Sequence, residues 1–89
     1  MSLENLIKQV KAHPNIAQAG MILCHNGFVR GSDRSGDRQV QALSVIVDHA
    51  MVQQIKQWAE SQPGIVAVAI EALEGELHVG DDLLFVVVA

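Results

Sequence analysis

Three arginines recur at four-residue intervals, Arg30, Arg34 and Arg38, and they make up half of the six basic residues in the chain. A guanidinium presents a planar fork of donors that grips a phosphate or carboxylate through two parallel bonds, so this segment has the chemistry to clamp an anionic ligand. Asp33 and Asp37 alternate with the arginines and offset much of their charge. A solvated loop is therefore the plainer reading of the same residues, since loops collect charge in any case. Arg30 has the best claim of the three as an anion contact, because it directly follows an apolar run and its backbone is expected to be the least mobile.

Other reactive types are present without the company they need. Cys24 and His25 are neighbours, but consecutive residues of a strand point to opposite faces and a thiolate–imidazole pair would not form. Cys24 is expected to be a small core residue, as free cysteines commonly are. The four histidines, His13, His25, His49 and His78, contain no pair at helical i, i+4 spacing, and no second cysteine completes a zinc-type set. Gly31 and Gly36 have phosphate-loop spacing, yet Asp37-Arg38 follow where Lys and Ser/Thr would be required and a strand follows in place of a helix. Glu71, Glu74, Glu76, Asp81 and Asp82 crowd two turns, where turn chemistry accounts for them. No catalytic residue, metal site or cofactor is expected.

The elements that hold these residues follow from periodicity. Leu3, Leu6, Ile7 and Val10 share one helical face behind a capping Ser2, and His13-Pro14 should end that helix. Residues 19–29 read as a strand interrupted by Asn26-Gly27. Residues 39–47 read as a second, and the polar 30–38 segment between them suggests a long hairpin. Asp48 is positioned to cap a helix whose apolar stripe is Met51, Ile55, Trp58 and Ala59, ending at Pro63-Gly64. Residues 65–73 form a nearly continuous apolar run, expected of a strand covered on both faces, with one parallel crossover conceivable around the second helix. A short piece at 76–79 precedes the final run 83–89. That last run must either be central in its sheet or be covered by another subunit, because an oily edge strand invites aggregation. The order αββαββ, two helices and a mostly antiparallel sheet, makes the class α+β.

Length and composition set the outer limits. Eighty-nine residues, 49% of them hydrophobic and 18% charged, describe one small globular domain spanning the chain rather than a disordered segment. Only Phe28, Phe85 and Trp58 are aromatic, so the core must be aliphatic. A net charge of −4 supplies no basic field for nucleic acid. No apolar run approaches the roughly 20 residues that span a bilayer. A single cysteine and the absence of a signal-peptide pattern point to the cytoplasm. A core this small is marginal alone, and oligomerisation is the common reinforcement left to it.

The order of motifs carries a further signal. A strand runs into Gly27-Phe28-Val29-Arg30, a loop bearing Gly36-Asp37 follows, and Val40-Gln41-Ala42-Leu43 opens the next strand. After the second helix comes Gly75-Glu76-Leu77-His78-Val79-Gly80-Asp81-Asp82, leading into Leu83-Leu84-Phe85-Val86-Val87. This resembles the large subunit of molybdopterin synthase, with its G-x-V-R before a loop and G-x-L-x-x-G-D before a Val-rich strand, over residues 19–88. The resemblance implies an α/β-hammerhead-like fold, a homodimer, and a place in molybdenum cofactor synthesis. There a ubiquitin-like small subunit with a C-terminal thiocarboxylate delivers sulfur to cyclic pyranopterin monophosphate. By the same resemblance Arg30 matches an arginine that helps hold the anionic substrate.

The departures from that pattern shape the functional expectation. Ala72-Leu73 stand where the family has a His-Arg pair before G-x-L, and no second His-Arg or following lysines occur before Ala89. The expected protein is thus a noncatalytic or accessory homodimeric module, with Arg30, Arg34 and Arg38 as anion-binding residues. Its expected partners are a thiocarboxylate small subunit and a pterin phosphate. The alternatives are an enzyme component completed by a partner chain, or a small regulator that binds an anionic metabolite.

Overall fold

A chain whose last strand is almost wholly apolar has to bury that strand, and the computed structural model, which describes residues 2–32, 35, 36, 39 and 41–89, places it at the centre of a sheet. Strands β1 (Leu23–Phe28), β3 (Val68–Ala72) and β5 (Asp82–Val88) form a three-stranded sheet in the order β1-β5-β3. Strands β2 (Ala42–Val45) and β4 (Gly75–His78) form a separate two-stranded ribbon. The strand pairings are all antiparallel. With helices α1 (Leu3–Lys11) and α2 (His49–Glu60), the fold is α+β. The piece near 76–79 is a strand in its own right, so the order runs αββαβββ.

Helix α1 forms as its spacing predicts. The Ser2 hydroxyl accepts a bond from the Asn5 N–H at 3.2 Å, satisfying one of the donors that a helix start leaves unpaired. Leu6 and Val10 are buried against Ala67, Ala69, Phe85, Val87 and Ala89, which together make the core cluster. After Lys11 the chain turns through His13, whose Nδ1 accepts the Asn15 N–H at 3.0 Å. Helix α2 begins at Asp48, whose carboxylate accepts the Met51 N–H at 3.0 Å.

Three expectations change. The predicted hairpin is not how the strands pair: β1 pairs with β5 and β2 with β4, and among the described residues the isolated bridge Ser32–Gln39 links the two sides of the intervening loop. No parallel crossover surrounds α2, because β2 and β3 lie in different sheets. Cys24 is exposed rather than buried. It lies on the edge strand, whereas α1 packs over β5 and β3.

Helix α2 also turns a different face inward from the one its apolar stripe suggests. Val52, Lys56 and Ala59 are half-buried on the side that packs on β3, whereas Met51, Ile55 and Trp58 are exposed, Trp58 by 66%. Glu74, in the turn between β3 and β4, fixes the start of this helix. Its Oε2 accepts the Val47 N–H at 3.2 Å and its Oε1 lies 3.1 Å from His49 Nε2. The bond to His49, then the bond from Val47, hold the Glu74 carboxyl below its ordinary value of 4.5.

Two measurements test this account. Phe85 is 2% exposed in the central strand, so Phe85→Ala should cost about 3–5 kcal/mol in urea denaturation. A carboxyl whose value is lower in the folded state stabilises the fold above its unfolded value, and that contribution is lost as pH falls through the folded one. Wild-type stability should therefore decline as pH drops below 4.5, and Glu74→Gln should show a shallower slope in that acid window. Equal slopes for the two proteins would remove the carboxylate from the account.

Candidate anion-binding site

The root of Arg30 is set by the residue before it. Val29 is buried at 2% exposure and takes part in two backbone bonds with the turn that precedes β5. Its N–H donates to the Asp81 carbonyl at 3.0 Å, and its carbonyl accepts the Gly80 N–H at 2.8 Å. The register of β1 against β5 shifts between Gly27 and Phe28, and Asn26 Nδ2 donates to Asp82 Oδ1 at 3.3 Å beside that irregularity. The β1 exit is thus tied to the β5 entrance by backbone and side chain. Arg30 follows this junction into solvent.

The Arg30 side chain is exposed, and its Nε donates to the Ser32 carbonyl at 2.8 Å. That bond orients the guanidinium plane. Among the described residues Arg30 pairs with no carboxylate. Arg34 and Arg38 lie outside the described residues, so the structure speaks only for Arg30.

The turns at the two ends of β4 explain two glycines of the motif. Gly75 and Gly80 have φ of +105° and +91°, a region open to glycine and strained for other residues. Gly80 ends the β2–β4 ribbon and returns the chain to β5. The acidic residues near the two turns do structural work. Asp81 Oδ2 accepts the His78 N–H at 2.8 Å, Asp82 holds Asn26, and Glu74 holds Val47 and His49. The His78 ring lies 3.8 Å from both Glu76 and Asp81, all three well exposed. Sequence spacing foresees the turn roles but not the Glu74–His49 contact, which joins residues 25 apart with no motif between them.

Cys24 and His25 are consecutive on β1 and so project to opposite faces, as expected. Ala72 ends β3 opposite Leu84, and the Leu73 N–H donates to the Leu83 carbonyl at 3.0 Å. Both side chains are half-buried, and neither can transfer a proton or hold an anion. Among the described residues no three His, Cys, Asp or Glu side chains gather as a metal cage, and no helix is long and apolar enough to cross a membrane. A cavity of about 410 Å³ is lined by Lys11, Ile16, Ala19, Gly20, Met21 and Ile22, at the other end of β1 from Arg30.

With this geometry in view, comparison with known families gives a match over the full chain. The family model described as MoaE protein covers residues 1–89, and the chain belongs to that family, the large subunit of molybdopterin synthase, and so to molybdenum cofactor biosynthesis. No curated protein gives a significant match.

If Arg30 holds an anion through its terminal nitrogens, Arg30→Ala should weaken pyrophosphate binding by roughly 10- to 100-fold, the range of a lost charged hydrogen bond. Arg30→Lys should recover only part, because an ammonium cannot reproduce the two-pronged contact. A titration followed by the Arg30 Nε–H resonance checks this, and an unperturbed resonance at saturating pyrophosphate would leave Arg30 without a ligand role.

Proposed function

We propose that this member of the MoaE family serves molybdenum cofactor synthesis as a homodimeric accessory module, not as a sulfurtransferase competent by itself. The observation that carries the reading is the end of β3. Where the resemblance puts a His-Arg pair, Ala72 and Leu73 present hydrocarbon, and Leu73 packs against the core cluster. Sulfur transfer from a thiocarboxylate to a pterin needs groups that stabilise developing negative charge and move protons, and preorganised donors aimed at that charge are commonly the largest catalytic contribution. Arg30 is the basic group that the described structure fixes beside the β1–β5 junction. The other described cations stand on helices, with Lys8 3.9 Å from Glu4 on α1, Lys11 at the end of α1, and Lys56 on α2.

On this reading Arg30, joined by Arg34 and Arg38 from the same loop, contacts the phosphate of a pterin such as cyclic pyranopterin monophosphate. The chemistry is completed by others: a ubiquitin-like small subunit brings the thiocarboxylate, as subunits of that kind do for MoaE proteins in general. The working compartment is the cytoplasm, where the single unpaired Cys24 stays reduced. Binding without turnover is the expected behaviour.

Reconstitution decides the matter. The chain is mixed with a thiocarboxylated small subunit and cyclic pyranopterin monophosphate, and dithiolene formation is followed by mass spectrometry. No dithiolene is expected from this chain with those two components, while the pterin should bind. Dithiolene formation without any further protein would overturn the accessory reading in favour of an active synthase.

A further inference from the structure

We propose that the cleft between α1 and α2 binds a small neutral α-amino acid, with Lys56 taking its carboxylate and Glu60 its ammonium. Both helices pack on β3, and the groove between them reaches down to Ala67 and Val68, which are buried. Small side chains leave the space. Ala12 at the end of α1 and Ala67 below fill little of it, so a cleft of about 150 Å³ stays open. It shares no residue with the Arg30 junction.

The charged groups on its α2 wall are unpaired. Lys56 and Glu60 stand one helical turn apart, yet among the described residues neither side chain makes an ion pair or hydrogen bond. On α1 the same spacing does give an ion pair, Glu4 with Lys8 at 3.9 Å. The order of the residues explains the difference: an acid four residues before a base runs with the helix dipole, and a base before an acid runs against it. The α1 wall is neutral. His13 is half-buried and its Nδ1 accepts the Asn15 N–H, so the neutral ring carries its proton on Nε2 as a donor. Gln9 adds an amide that can both donate and accept.

Charge selects the class of ligand. One cation and one carboxylate on a single wall match a molecule bearing both signs, whereas a plain anion or a plain cation meets a like charge at one end. The last turn of α1 also ends at this cleft, and the negative end of its dipole favours an ammonium. Size narrows the choice. At roughly 30 Å³ for each water-sized group, the 150 Å³ cleft holds about five non-hydrogen atoms, enough for an amino-acid head and too few for a nucleotide or a pterin. The apolar floor of Val10, Ala67 and Val68 suits a methyl side chain such as that of alanine.

Titration of the full chain with L-alanine, followed by amide NMR shifts, tests the site. Saturable shifts are expected at Ala12, His13, Lys56, Glu60 and Ala67, all described by one dissociation constant. Lys56→Met keeps the hydrocarbon stem without the ammonium, and Glu60→Gln keeps the shape without the charge. Each should weaken alanine at least about 10-fold, the loss of one charged hydrogen bond. Acetate and methylammonium carry one charge apiece and should bind at least about 10-fold more weakly than alanine. Shifts that do not saturate, or that spread over the surface, would overturn the site. Acetate binding as tightly as alanine, with Glu60→Gln without effect, would leave a simple anion contact and overturn the zwitterion assignment.

Discussion

The two ladders of β5 are the constraint on which the rest of the molecule depends. This strand pairs with β1 on one side and β3 on the other, and its Phe85 and Val87 form the floor on which α1 lies. An apolar strand in the middle of a sheet satisfies its backbone polar groups on both edges while its side chains are removed from water. The β1–β5 junction inherits this order. Val29 is held by Gly80 and Asp81 immediately before β5 begins, and Asn26 reaches Asp82 at its first residue. Arg30 is thereby positioned by the register of the most buried strand, although the arginine itself is in solvent.

The family motif has a mechanical basis in the same place. Its glycines allow left-handed turns at the two ends of β4, and its aspartate caps the return by accepting the His78 N–H. Replacing either glycine with a residue bearing a Cβ would strain the backbone where the ribbon hands the chain back to the sheet. The motif thus specifies a path for the chain, and the chemistry depends on what the path brings alongside.

How far the sequence discloses this structure depends on the range of the interaction. Local signals are faithful: Ser2 and Asp48 cap the helices at the expected positions, and the 3.6-residue period identifies the buried side of α1. Pairing is not local. The partner of β1 lies almost sixty residues away in β5, and the Gly/Ser/Asp-rich loop that looks like a hairpin turn lies between strands of different sheets. The same limit explains Cys24 and α2. Alternation states which side chains share a face, whereas exposure depends on what is laid over that face, and α1 is laid over β5 and β3. The place of Arg30 just beyond a strand is legible because strand ends leave local marks; the Glu74–His49 contact leaves none.

The end of β3 shows why composition and chemistry are coupled in so small a protein. A chain of this size has few positions with which to extend its core, and Leu73 is one of the partly buried residues that pack against it. Ionisable side chains at Ala72 and Leu73 would have to be desolvated beside Leu83 and Leu84 or be turned outward at the loss of that packing. The hydrocarbon at these positions therefore extends the apolar surface around β5 while giving up groups suited to charge stabilisation. Arg30 stands outside this trade because its backbone is anchored through Val29 and its charge remains in water. A solvated charge of that kind is compatible with a minimal core, whereas a buried ionisable pair would draw on the same few residues that hold the sheet together.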